Sequence, residues 1–261
     1  DATRMRDAAR QSGRTAILGY NYIQNPMIRL ARAIINEGRI GAVNHIRLEM
    51  DEDYMADPAE PFYWKSEKGS GYGALDDFAV HPLSILSALH GRITSLVADM
   101  AKPYEERPTN DGGRRTVENH DIAQALFRTE MGASGVLMVN RSAWGRKGRI
   151  ALQIFGSRGS ILFDQERMNE LQLYSTEDPA ALQGYRTILA APEHAPYRQF
   201  IPAPGHGLGF NELKVTECHE LLQAISGEHD AYVIDFERGL QIERTVHAAA
   251  RSAEGGMWVE V

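Results

Sequence analysis

Cysteine is almost missing from this chain. Cys218 is the single cysteine in 261 residues, so no internal disulfide can form and a reducing cytoplasm is the expected compartment. No apolar run reaches membrane-spanning length and no signal-peptide pattern opens the sequence, so a membrane is not an expected partner. Long basic tracts are absent too. With 28 Lys and Arg against 35 Asp and Glu, the net charge is −7, and the only basic patches are the short Arg114-Arg115 and Arg146-Lys147. Nucleic acid is therefore excluded as an expected partner. There is no Walker loop, HExxH, GxSxG or CxxC, no internal repeat and no low-complexity stretch. What remains is an ordinary globular composition, 43% hydrophobic, long enough for a sizeable core. In the helical run Thr216-Glu217-Cys218-His219 the cysteine reads as a small buried apolar residue and not as a nucleophile.

Periodicity divides the chain into elements. Residues 1–10 read as a helix capped by Asp1, with Ala2, Met5, Ala8 and Ala9 as an apolar stripe and Gly13 as the stop. Arg14 to Tyr20 reads as a short, mostly buried strand. Pro26 to Glu37 has Pro in its first turn and Ile28, Ala31, Ile34 and Ile35 at helical spacing. Val43 to Glu52 alternates, with Ile46, Leu48 and Met50 on one face. After a loop over 53–73 and a helix ending near Gly91 come strand-like runs at 93–100, 122–128, 135–141, 150–155, 160–163 and 170–174. Short turns between consecutive strands imply an antiparallel sheet, with one face open to solvent or a partner subunit. Residues 176–206 read as irregular. Two helices follow: one from Gly209 or Phe210 to Ile225, with Leu213, Val215, Leu221, Leu222 and Ile225 as its apolar positions, and one from Asp235 to Ser252. Trp258 to Val261 reads as a terminal strand.

The richest segment for chemistry is Gly73-Ala74-Leu75-Asp76-Asp77-Phe78-Ala79-Val80-His81. Asp77 and His81 are four residues apart, one helical turn on one face. A carboxylate beside an imidazole holds one ring tautomer and raises the basicity of the other nitrogen, which suits a general acid/base. The plainer alternative is a local contact at a helix start, where Asp also suits the dipole. Gly69, Gly71 and Gly73 place this helix behind a flexible loop. Gly69-Ser70-Gly71-Tyr72-Gly73-Ala74 loosely fits a dinucleotide fingerprint, but no apolar strand precedes it, and Gly205-His206-Gly207-Leu208-Gly209 fails in the same way. A metal site on Asp77 and His81 finds no third and fourth ligands, so none is expected. The loop over 53–73 carries Tyr54, Tyr63, Trp64 and Lys65; aromatic faces suit sugar C–H surfaces, and packing is the alternative. Tyr20 and Asn21 follow a buried strand, where α/β domains place ligand contacts; a simple turn is the alternative. His206, Phe210 and Asn211 stand where a Pro/Gly loop enters a helix, lining a pocket or, for Asn211, capping the helix.

Together Gly19-Tyr20-Asn21-Tyr22 with Pro26, Ile35-Asn36-Glu37-Gly38-Arg39-Ile40-Gly41, the 73–81 segment and the closing Phe210-Asn211 helix resemble the Gfo/Idh/MocA oxidoreductases over nearly the whole chain. The resemblance implies a Rossmann domain followed by an α/β domain (α+β in its own layout) with a large, mostly antiparallel open sheet and helices on one face. Residues 1–21 would be the last helix and strand of the Rossmann domain and 22–261 the substrate-binding and oligomerisation domain. The glycine fingerprint and a catalytic lysine in a Glu-Lys-Pro segment would then lie upstream. Asp76 stands where the family often has Gly, and Ser84 where it often has Asp, which leaves no carboxylate there for a substrate hydroxyl.

Catalysis would fall to Asp77 and His81, substrate binding to Tyr20, Asn21, Tyr54, Trp64, His206 and Asn211, and cofactor contact to Tyr20 and Asn21. The cofactor would be NAD or NADP. The substrate would be a sugar, anhydrosugar or inositol whose hydroxyl proton goes to His81 while the nicotinamide takes the hydride. A homodimer or homotetramer through the open sheet is implied. The rival reading is a non-catalytic sugar-binding or scaffold protein of the same fold. A metal-dependent hydrolase is a more distant one.

Overall fold

Alternating apolar residues in Val43–Glu52 build the strand at the centre of the molecule. The computed structural model describes residues 1–228 and 231–261. In chain order, α1 is Ala2–Ser12, β1 Ile17–Leu18, α2 Pro26–Asn36, β2 Val43–Glu52, α3 Val80–Leu89, β3 Ile93–Ala101, β4 Glu106–Pro108 and β5 Arg114–Thr116. Then come β6 Ile122–Thr129, β7 Ser134–Asn140, β8 Lys147–Gly156, β9 Gly159–Asp164, β10 Glu170–Ser175 and β11 Arg186–Leu189. The chain closes with α4 Phe210–Ile225, β12 Ile234–Asp235, α5 Phe236–Gly255 and β13 Val259–Glu260.

Nine strands form one sheet in the order β11-β10-β9-β8-β2-β7-β6-β3-β13. Every pairing is antiparallel except β2 with β7, which is parallel. Registers such as Leu48 opposite Leu137 and Leu152 put the apolar alternates on one face. That face is buried under α2, α3 and α5, in a core that includes Ile28, Ile46, Leu48, Leu86, Phe127, Leu137, Ile154 and Val246. Each such side chain, fully buried, stabilises the fold by roughly 1.5–3 kcal/mol against leaving it in water. The opposite face carries no helix and exposes Leu126 and Met138.

Several expectations are corrected. Residues 176–206 are not wholly irregular, because Arg186–Leu189 pairs with β10 as the sheet's edge. The hairpin of β4 and β5 was not anticipated; its strands are three residues each, too short for a periodic signal. In α1 no residue is fully buried and Asp1 makes no capping bond; Asp1 pairs with Arg4, and the helix meets α5 through Arg6 and Arg10 on Glu237, with Ala2 and Ala9 only partly covered. In α4 only Leu213, Thr216 and Glu220 are buried, while Val215, Leu222 and Ile225 are exposed. Cys218 is exposed with them, because α4 turns only its 213/216/220 side inward. Among the described residues no helix is long and apolar enough to cross a membrane.

Candidate active site

The turn carrying Asp77 is wider than an α-helix. Leu75–Ala79 forms a π-turn that runs directly into α3. Such turns insert one extra residue and often mark functional sites. Leu75, Phe78 and Ala79 are buried and anchor it. Gly73 precedes it with φ 69°, and a Cβ there would run into the His120 main chain, so a side chain would meet both strain and a clash. Successive carboxylates then part company. Asp76 accepts the Tyr72 backbone N–H. Asp77 accepts the Tyr54 hydroxyl, the Lys65 ammonium at 2.7 Å and an Arg141 N–H at 3.3 Å. Burial alone would raise Asp77; Lys65, Tyr54 and Arg141 outweigh it and hold the carboxyl below its ordinary value, so it is ionised.

The His81 imidazole sits between two tyrosines from the short turn Asn21–Gln24 and its cap. Tyr20 and Tyr22 meet the ring edge-to-face at centroid distances of 5.9 and 5.1 Å. Tyr22 also touches Phe210 at 5.6 Å, which brings the start of α4 to the site. Burial pushes His81 down to about 4; Asp77 opposes this, and the Lys214 and Lys65 charges add to it. The ring is therefore neutral at pH 7. Its Nδ1 is buried with no partner among the described residues, which leaves Nε2 as the nitrogen open to a ligand. Burial also raises Tyr20 and Tyr22 to about 12, so both stay protonated.

Asp77 makes no hydrogen bond to His81, because its two oxygens are taken by Tyr54, Lys65 and Arg141. The expected orienting bond is thus replaced by a through-space field. Tyr54 and Trp64 do come together: the Lys65 ammonium lies 5.4 and 5.8 Å from their ring centroids, and Trp64 is 54% exposed. Asn21 is 2% exposed and its Nδ2 has no partner among the described residues. His206 is exposed and contacts carbonyls of its own loop, Ala203 and Pro204. Asn211 is exposed in the first turn of α4 and does not cap it; the Glu212 carboxylate takes the Gly209 N–H instead. Ser84 is buried and donates to the His81 carbonyl. The loop over Gly69–Gly73 is preceded by short 3₁₀ turns and no strand, which bears on its fingerprint likeness. No group of three or more His, Cys, Asp or Glu is placed to hold a metal ion among the described residues.

Residues 28–162 match the sequence model of the GFO/IDH/MocA C-terminal domain. The chain belongs to the GFO/IDH/MocA family. A levoglucosan dehydrogenase of Pseudarthrobacter phenanthrenivorans is 32% identical over 98% of this chain and 69% of its own length. Among solved structures, an NAD-binding oxidoreductase from Klebsiella pneumoniae superposes with a TM-score of 0.95 at 36% identity, over 100% of this chain and 70% of the other. Levoglucosan dehydrogenase in complex with NADH and levoglucosan gives 0.93 at 32% identity, over 100% and 70%. Within this GFO/IDH/MocA frame, side chains that spacing did not point to come to the site: Tyr22 against His81, Lys214 in its field, and Arg141 on Asp77, itself held by Asp121. Arg141 lies 64 residues from Asp77, and no local pattern connects the two.

Proposed function

We propose that this chain carries the substrate pocket of an NAD(P)-linked dehydrogenase that moves a hydride between the nicotinamide and a carbinol carbon of a sugar, anhydrosugar or inositol. The carrying observation is a neutral imidazole, His81, set edge-on to Tyr20 and Tyr22 and beside the ionised Asp77. Such a ring takes a hydroxyl proton at Nε2, and the Asp77 field stabilises the imidazolium that results. Tyr54 and Trp64, gathered around Lys65, give the sugar ring its apolar wall.

The fit of a nicotinamide is tested by Asn21, in the turn that follows β1, whose buried Nδ2 has no partner among the described residues, next to Tyr20. These two residues would hold the cofactor, which supplies a two-electron acceptor when bound. We place residues 1–21 with a nucleotide-binding domain and 22–261 with the substrate domain. In support, among the described residues β1 pairs with the two-residue β12, outside the large sheet, and no residue of α1 is fully buried. The bare sheet face with Leu126 and Met138 fits a second copy of the chain, as a homodimer or homotetramer.

The test is a panel of levoglucosan, L-sorbose and myo-inositol with NAD and NADP, using the full-length protein and its His81→Ala variant. Turnover falls by about 10²-fold or more while cofactor binding is kept. Equal turnover by the variant overturns the role of His81.

A further inference from the structure

Two cations from outside the π-turn decide where Asp77 points. Arg141 lies just beyond β7 with its side chain 1% exposed. Its Nε and Nη2 donate to Asp121 Oδ1 at 3.1 and 2.7 Å, and its Nη1 donates to Asp77 Oδ2 at 3.3 Å. Asp121 is equally buried, and the backbone N–H of Arg141 donates to the Asp121 carbonyl at 2.9 Å. The guanidinium is thus tied to one carboxylate and reaches the site with the remaining arm. Lys65 holds the other oxygen of Asp77.

We propose that Arg141 is a positioning residue for the proton-transfer step: anchored on Asp121, it holds Asp77 ionised and off the His81 ring, so that His81 meets substrate as a neutral base. The proposal rests on His81 being the proton acceptor. A carboxylate hydrogen-bonded directly to an imidazole favours its charged form strongly; one already shared between two cations does so far less. The groups facing His81 are Tyr20 and Tyr22 from the 21–24 turn, Asp77 on its own turn, Lys65 from the 64–66 turn and Lys214 from α4. Glu52, at the end of β2, adds its charge on the side of Tyr22 and Asp77. Beyond burial, which comes first, Asp77 is the carboxylate among them within one turn of the ring, so its tethering sets the opposing charge that His81 feels.

The experiment compares Arg141→Met, Arg141→Lys and the double variant Asp121→Asn/Arg141→Met in the full-length enzyme. The double variant removes both buried charges at once, so it keeps the fold where Arg141→Met alone leaves Asp121 uncompensated. Two readouts are taken: the pH profile of kcat and KM, and the NMR titration of the His81 ring without substrate. We expect kcat to fall at least about tenfold with a smaller change in KM. The His81 midpoint moves up by about one pH unit or more, and Arg141→Lys recovers part of both effects. A folded double variant with an unchanged His81 midpoint overturns the proposal. If His81→Ala keeps full turnover, the proton-acceptor reading fails instead, and the NMR titration still reports separately whether Arg141 sets the charge at His81.

Discussion

At the scale of single residues, burial lowers His45, His81, His90 and His120, and His81 is the one in the candidate site. Its native value, pushed down by burial to about 4, lies below the ordinary value of 6.5. Between those limits the unfolded chain holds a proton that the native chain does not. Stability therefore falls as pH drops from 6.5 towards 4 and is at its full value above 6.5. Urea unfolding of wild type and His81→Gln over pH 7 to 5 checks this: the wild-type midpoint falls more steeply, and equal slopes count against a buried neutral ring. The legibility of the site follows the same division between near and far. Asp77 and His81 were visible as a local spacing, and Tyr54 and Trp64 as aromatic residues of one loop. Arg141 and Asp121 were not, because a salt bridge between distant positions leaves no period in a sequence. The missing Asp77–His81 bond was equally invisible, since it depends on who else claims the carboxylate.

At the scale of elements, strong periods were read well and shared faces badly. The alternation of β2 gave its limits to the residue, Val43–Glu52, because both its neighbours need the same face buried. The apolar residues of α4 misled, since three of the five face solvent and burial depends on what lies opposite. The start of α2 shows a signal that carries through to energy. Asn25 is fully buried; its Oδ1 accepts the Met27 N–H at 2.8 Å while its Nδ2 donates to the Met168 carbonyl at 2.9 Å. It caps the helix and ties it to the segment before β10. Asn25→Ala should cost about 1–3 kcal/mol, read as a lower melting temperature with the same unfolding slope. A loss below about 0.3 kcal/mol would mean that water replaces both bonds.

At the scale of the whole molecule, the nine-stranded sheet has one face in the core and one bare. On the bare side Val97, Leu126, Val136 and Met138 line a shallow apolar hollow across β3, β6 and β7. If a second copy covers it, replacing both Leu126 and Met138 by Glu lowers the mass seen by light scattering to that of a single chain without unfolding it. An unchanged mass places the assembly surface elsewhere. The mostly antiparallel layout was legible from the short turns. The parallel pairing of β2 with β7 was not, because it joins segments separated by α3 and β3.

That central pairing also sets an order of events during synthesis. Along β2, His45 faces Ser134 on one side and Phe155 on the other, so both neighbours are made long after it. Until the ribosome has passed β7 the middle strand of the sheet has two unpaired edges, and until it has passed β8 it still has one. Only local structure such as α2 and the 122–140 hairpin forms before then. The chain therefore completes its core late, through contacts between segments far apart in sequence, the kind of closure that slows folding.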